Sequence, residues 1–422
     1  MSAPEFALPP RALKARWVFP VAGQPIPDGI VTLDGERIVE VGAAPAGDVP
    51  VEDLGSVALL PGLVNAHAHL DLSHLARPLG EQGMGFVDWI RRVIEHRLET
   101  QPDRSVERGI EESVRYGVTT LGDVSQPAAP TAPYDAAALD GTVFLELIGL
   151  EPERITSALE AARVHVAAGR QSARWGPGLS PHAPYSVHPR LLDAVISRMA
   201  RERVPLAFHL AESREELDLL GSGAGPFREL LQDMGVWTPG MIRPGTRPLD
   251  YLARLTRASR ALVIHGNYLD DEEIALVAEH AERMAVVYCP RTHAYFGHAP
   301  YPLERMLSAG VPVALGTDSR ASSPDLDLLA EMRTASAKHP SIPRETVLRL
   351  ATLSGATALG RAEHLGTLAP GKLGNLTAVS LPTDEHGDPH ELLFEGGGDV
   401  VRRWYRGPVS APSRRRGDDE GA

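Results

Sequence analysis

Two histidines stand one residue apart in the stretch LLPGLVNAHAHL, Leu59 to Leu70: His67 and His69. On a strand, side chains two apart point to the same side, so both imidazoles would reach for one target. Farther along, other apolar runs also end in side chains able to bind a metal or move a proton. PHAP carries His182, FHLAE carries His209 and Glu212, IHGN carries His265, and GTDS carries Asp318. Taken singly, each has an ordinary explanation. A buried histidine usually does no more than satisfy its hydrogen bonds. An aspartate in GTDS suits a turn or a helix cap, and Glu212 can begin a helix. Gathered on one rim, they would make a metal site. Imidazole nitrogens with one carboxylate are the donor set of a catalytic Zn2+ that keeps a position open for water, and they also suit Fe2+. Such a metal lowers the pKa of its water toward about 7. A carboxylate is then needed to carry protons, and Glu212, three residues past His209, is placed to reach that water.

Convergence requires a scaffold that ends many strands at one place. Eight strand-like apolar runs occur in order: SVALLPGLVNAH, GVTTLGDV, TVFLELIGL, GPGLSPHAPYS, VPLAFHLAES, ALVIHGNYL, MAVVYCPRTH and GVPVALGTDS. Helix-patterned segments, such as DWIRRVIEHRL from Asp88 and DDEEIALVAEHAERM from Asp270, lie between most of them. Such alternation predicts parallel β/α units. The most economical closure is an α/β fold of the (β/α)8 barrel type over residues 58–365, with its site at the strands' C-terminal ends; a doubly wound open sheet is the alternative. Insertions at about residues 70–87 and 214–250 would overhang that end. Residues 1–57 and 366–410 read as β-rich, with a hairpin signal at LDGERI around Asp34 and Gly35. They are expected to form one small composite β-sandwich from both chain ends. Residues 411–422, with SRRRGDD, read as a disordered tail.

The motifs PGLVNAHAHL, HLAES, IHGN and GTDS, followed by GTLAPGKLGNL, occur in one order along nearly the whole chain. In this they resemble the amidohydrolase superfamily, and within it the mononuclear deaminase and chlorohydrolase branch. The resemblance implies a metal-bearing barrel with a composite sandwich. It implies that His67, His69, His209 and Asp318 hold one divalent metal, and that Asp318 also takes a proton from the water. It further implies that His265 orients the water and leaving group, that Glu212 is the acid and base, and that His182 contacts substrate. The fourth-strand motif has no lysine to bridge two metals, which argues against the two-metal hydrolases. The chain departs from the pattern at Gly374, Asn375 and Leu376, where Ala-Asp-Leu is usual. It departs again after the seventh strand, where Arg291, His293 and His298 stand in place of asparagine and lysine. That second departure resembles enzymes acting on aminodeoxyfutalosine, a 6-aminopurine nucleoside that bears a carboxylate. Arg291 has the fixed fork that suits a carboxylate, although a structural salt bridge is the competing reading. Trp89 in GFVDWI either lines the pocket or packs at a helix start.

Composition narrows the rest. With 42 basic against 55 acidic residues the formal charge is −13, which disfavours a phosphate-backbone ligand. A single cysteine, Cys289, allows no intrachain disulfide and fits a reducing compartment. The first residues lack the apolar stretch of a signal peptide, and no run is long enough to span a membrane. The expectation is a cytoplasmic enzyme with a small-molecule substrate and one divalent metal, Zn2+ before Fe2+. It would bind neither nucleic acid nor membrane, and it could form a homo-oligomer. Its reaction would be hydrolytic deamination of an aminated heterocycle, first an adenine-type nucleoside. A chlorohydrolase or cyclic-amide hydrolase would use the same site, and a non-catalytic scaffold with the same fold is the rival of another class.

Overall fold

In the computed structural model, which describes residues 9–100, 104–127, 129–383 and 387–410, the eight apolar runs form eight parallel barrel strands. They are β1 (Leu63–Ala68), β2 (Val118–Ser125), β3 (Asp140–Leu147), β4 (Trp175–Pro181), β5 (Leu206–Leu210), β6 (Ala261–His265), β7 (Met284–Tyr288) and β8 (Val313–Leu315). Each pairs with its sequence neighbour, and a parallel bridge from Ala68 to Asp318 brings the end of β8 back against β1. That return closes the sheet and rules out the open alternative. Parallel strands covered on both faces are expected to be continuously apolar rather than alternating. Strands β1, β2 and β3 are buried along their whole length. The expected tail at 411–422 lies outside the described residues.

The run read as one first strand is in fact two. Val57–Pro61 pairs antiparallel with Leu376–Ser380 in a six-stranded sheet, whereas Leu63–Ala68 belongs to the barrel. Gly62 lies between them. A Cβ there would come within 2.2 Å of the Thr119 side chain, so the chain passes close to β2 only because this residue is glycine. The second, four-stranded sheet contains the hairpin of Ile30–Asp34 and Arg37–Gly42, turned at Gly35 with a φ of 56°. Leu13, Val31, Leu33, Leu59, Leu376 and Trp404 from the two sheets share one core. Gly374 is explained there as well, since a Cβ would lie 3.0 Å from Leu33 and 3.1 Å from the Gly407 nitrogen.

The segments expected to overhang the barrel do so. After β1 the chain makes a short 3-10 turn, Leu70–Leu72, and then helix α1, Phe86–Glu99, which buries Phe86, Val87, Trp89 and Val93. After β5 come two short helices, Arg214–Ser222 and Pro226–Asp233. Phe227 of the second stacks on Tyr185 with ring centres 4.0 Å apart and meets Phe86 edge-on at 6.0 Å. The two insertions thus join over the mouth of the barrel.

Candidate active site

Strand ends set the site. His67 and His69 leave β1 together, T-shaped, with ring centres 4.8 Å apart. His209 comes from β5, His265 ends β6, and Asp318 follows β8. Three residues at these ends have left-handed backbone: Ala211 (φ 53°), His265 (φ 68°) and Asp318 (φ 56°). Non-glycine residues take this conformation at a cost of order 1–3 kcal/mol, and such strain concentrates at functional sites. Gly316 permits the approach of β8 to β1, because a Cβ there would lie 2.9 Å from both Cβ and O of His67.

The imidazoles face one point. Nε2 of His69 and Nε2 of His209 are 3.3 Å apart. Two nitrogens held at about 2.05 Å on a tetrahedral Zn2+ would be about 3.3 Å apart. Oδ1 of Asp318 lies 3.7 Å from Nε2 of His67 and 3.8 Å from Nε2 of His69. Two overlapping triads have donor atoms within 4.8 Å of one another: His67, His69 and Asp318, and His67, His209 and His265. Both ring nitrogens of His67 are buried without a hydrogen-bond partner, a costly state for a polar group that something else does not satisfy. Nδ1 of His209 lies 3.1 Å from the His182 carbonyl, which leaves Nε2 as the lone-pair donor. The donor set and its orphaned nitrogens fit one divalent cation.

Next to this cluster lies a group suited to carrying protons. Oε1 of Glu212 is 3.1 Å from Nε2 of His265. Burial, with the charges of Asp318 and Glu216, pushes the Glu212 carboxyl well above the usual range. Burial lowers His265 to about 3. For Asp318, burial acts upward, but the close approach of His67 and the fields of His265 and His69 outweigh it and hold the carboxyl well below its ordinary value. Two carboxyls in one pocket are thereby pushed in opposite directions, the pattern that separates an acid from a base.

The pocket above the cluster is lined by His69, His182, His209, Glu212, His265 and Asp318, by Trp89 and its neighbours on α1, and by Glu146 and Arg97. Trp89 takes both roles proposed for it, since it borders the pocket and is also packed against Phe86 and Phe296, with Nε1–H donating to the Ala321 carbonyl at 3.0 Å. Arg291 is not in the pocket. Its Nη1 donates to Oδ1 of Asp325 at 2.7 Å, and its Nε lies 3.5 Å from Oε1 of buried Glu331. Two acidic partners occupy its fork, which favours the structural salt bridge over a grip on a substrate carboxylate. His293 and His298 turn away too, the first to the Ala299 carbonyl (2.9 Å) and the second to the Tyr268 hydroxyl (3.0 Å).

Several residues that matter to this geometry were missed. Glu216 accepts the backbone N–H groups of Ala211 and Glu212, both at 2.9 Å, and so fixes the strained turn that presents Glu212. Asn65 accepts from the nitrogens of His67 (3.3 Å) and Thr317 (3.2 Å) and donates to the Thr317 hydroxyl (2.7 Å), tying β1 to the end of β8. Asp123 accepts the Leu70 N–H at 2.8 Å, directly after His69. Asn65 stood within NAHAH and was legible as a polar residue in an apolar run. Nothing local marked Glu216 or Asp123.

The amidohydrolase family model matches residues 58–404. The chain belongs to the amidohydrolase family. Among relatives of this amidohydrolase is a 5-methylthioadenosine/S-adenosylhomocysteine deaminase of Moorella thermoacetica, 31% identical over 388 residues, covering 86% of this chain and 84% of that one. Another is an aminodeoxyfutalosine deaminase of Deinococcus radiodurans, 30% identical over 322 residues, covering 73% and 75%. The fold is shared with an aminofutalosine deaminase of Helicobacter pylori at a TM-score of 0.81 and 22% identity, covering 95% of this chain and all of that one.

Proposed function

We infer that this amidohydrolase is a metal-dependent hydrolytic deaminase that releases ammonia from an aminated, nucleoside-like heterocycle. It is a hydrolase of non-peptide carbon–nitrogen bonds. The observation that carries the reading is Glu212, a buried carboxyl 3.1 Å from Nε2 of His265 and beside a cluster of unmatched imidazole nitrogens. A 6-aminopurine nucleoside is the substrate class that the deaminase relatives favour.

His67, His69, His209 and Asp318 would hold one divalent cation, Zn2+ by donor type. When bound, it supplies the Lewis acidity that makes water nucleophilic near neutral pH. The chain's own groups do the rest. Asp318, kept ionised, accepts a proton from the attacking water. Glu212, kept protonated, gives its proton to the ring nitrogen beside the carbon under attack. His265, neutral and 3.1 Å from Glu212, orients the exchange. The proton from the water goes to the amino group, which leaves as ammonia. Loss of the second water proton to Glu212 converts the new hydroxyl to a carbonyl and restores the starting state. The aromatic wall of Trp89 and Phe86 keeps bulk water out.

We read residues 1–57 and 366–410 as a supporting sheet unit outside this chemistry, and a reducing cytoplasm as the setting for the lone Cys289. Among the described residues no helix is long and apolar enough to cross a membrane. The test is product release from purified, metal-analysed protein offered adenosine, aminodeoxyfutalosine, guanine and chloro- and aminotriazines. Ammonia from a nucleoside supports the reading. Chloride from a chlorotriazine alone, or protein that carries no metal and releases neither product, refutes it.

A further inference from the structure

The last residue of IHGN, Asn267, is 5% exposed and takes no part in the proton transfers. Its Nδ2 donates to the Glu212 carbonyl at 2.8 Å. A carbonyl only accepts, so the amide nitrogen must face it, which fixes the orientation of the side chain. The bond sits where the barrel sheet stops. Leu210 and His265 are the last paired residues of β5 and β6. Beyond them both chains turn left-handed, at Ala211 (φ 53°) on one side and at His265 (φ 68°) and Gly266 (φ 62°) on the other. Backbone bonds join the two turns, from the Gly266 N–H to the Leu210 carbonyl at 3.1 Å and from the Tyr268 N–H to the Ala211 carbonyl at 3.2 Å. The Asn267 amide carries that join one residue farther, to Glu212 itself.

The Glu212 peptide is thus held from both sides. Its N–H donates to the Glu216 carboxylate of the following helix at 2.9 Å, and its carbonyl accepts from Asn267 of the neighbouring strand end. Two residues before Asn267, His265 presents Nε2 to Oε1 of Glu212 at 3.1 Å. One turn therefore carries both the imidazole that meets the Glu212 carboxyl and the amide that holds the Glu212 backbone. The turn has its own anchor. Tyr301, 4% exposed and stacked on Tyr288 with ring centres 3.8 Å apart, donates its hydroxyl to the His265 carbonyl at 2.8 Å. A proton carrier works only within hydrogen-bond reach of its partners, and a displacement of about 1 Å in such a group can cost a factor of about 100 in rate. We propose that Asn267 is a positioning residue, with Tyr301 anchoring its turn, that fixes Glu212 against His265 and acts on the reaction only through Glu212. This rests on the deaminase reading above and adds what holds its proton carrier in place.

The experiment measures kcat, KM and metal content for wild type, Asn267→Leu, Tyr301→Phe and Glu212→Gln, and for Glu212→Gln combined with either of the other two changes. The substrate is whichever of adenosine, aminodeoxyfutalosine, guanine and an aminotriazine wild type deaminates. Leucine nearly matches asparagine in shape but has no donor. Asn267→Leu should lose roughly 10- to 100-fold in kcat, with KM within about threefold of wild type and metal content unchanged. Tyr301→Phe, which removes one oxygen, should lose less, about 3- to 10-fold. In the Glu212→Gln background the carboxyl to be positioned is gone, so either change should cost less than about threefold more. An equal loss in both backgrounds would make Asn267 a support of the fold alone. Unchanged kcat in Asn267→Leu, or loss of its metal, would also overturn the proposal, and the deaminase reading stands in all three cases. Should Asn267→Leu not fold, Tyr301→Phe is read by the same criteria. Normal turnover in Glu212→Gln removes the proton carrier and the proposal with it. A wild type that releases ammonia from none of the substrates overturns the deaminase reading and the proposal together.

Discussion

The molecule holds two groups of histidines near the barrel mouth, and they differ in what surrounds their nitrogens. In the first, Nε2 of His69 and Nε2 of His209 lie 3.3 Å apart, and neither ring nitrogen of His67 has a hydrogen-bond partner. In the second, after β7, His293 is bonded to the Ala299 carbonyl and His298 to the Tyr268 hydroxyl, while the neighbouring Arg291 is held by Asp325 and Glu331. Residue type is the same, and both groups are largely buried. What separates them is convergence: Nε2 of His298 is also buried without a partner, but among the described residues only the first group belongs to sets of three ligand atoms within 4.8 Å of one another. Several unpartnered nitrogens facing one point are destabilising unless a ligand completes them, so the first group implies a cation and the second implies packing.

The largest expected effect tests that contrast directly. His67→Ala and His209→Ala should each lose the metal and reduce turnover to background, whereas His293→Ala should retain about one divalent ion per chain. Elemental analysis of the three proteins decides it, and metal loss from His293→Ala would erase the distinction. Next in size is Glu212→Gln. General acid–base groups contribute about 10² to 10⁴ in rate, so this variant should bind metal normally and turn over slower by that factor. Loss of metal would move Glu212 among the ligands.

A smaller and different effect is expected in the second group. Arg291→Ala leaves Glu331, which is fully buried, without its cation. Burial already raises the Glu331 carboxyl to about 8, so the contact is largely a hydrogen bond to a protonated acid, and denaturant unfolding should show the loss of about 1 to 3 kcal/mol typical of a buried group that loses a partner. Its kcat/KM on adenosine should stay within a few-fold of wild type. A stable variant with collapsed activity would return Arg291 to the substrate.

The smallest effect is one of pH. Burial raises the Glu216 carboxyl to about 7. A folded-state pKa above the unfolded value means the folded form binds the proton more tightly. The contribution to stability is then full below the unfolded value, near 4.5, and is lost as pH rises through about 7. Between pH 5 and 8 wild type should lose up to about 3 kcal/mol from this group, and Glu216→Gln should show a flatter profile. Parallel profiles for the two proteins would mean that Glu216 titrates in the ordinary range and stays ionised in the fold.

Much of this was legible in the residues before any coordinates. Eight apolar runs between helical segments, five of them closed by histidine or acid, specify parallel strands whose last residues share one rim, because side-chain alternation and the β/α crossover leave few other arrangements. That is why His67, His69, His209, Glu212, His265 and Asp318 could all be named from the chain. The break at Gly62 was hidden inside one apolar run, since only the nearness of Thr119 shows that the chain must change sheets there. The fate of Arg291 was undecided for the same kind of reason: Asp325 and Glu331 lie 34 and 40 residues away, and a guanidinium takes whichever carboxylates the fold brings to it. Glu216 reads as a single acid in SREELD, indistinguishable from a solvent-facing one. Its role comes from burial and from the partners that tertiary packing supplies, and those depend on distances in space that local sequence does not encode.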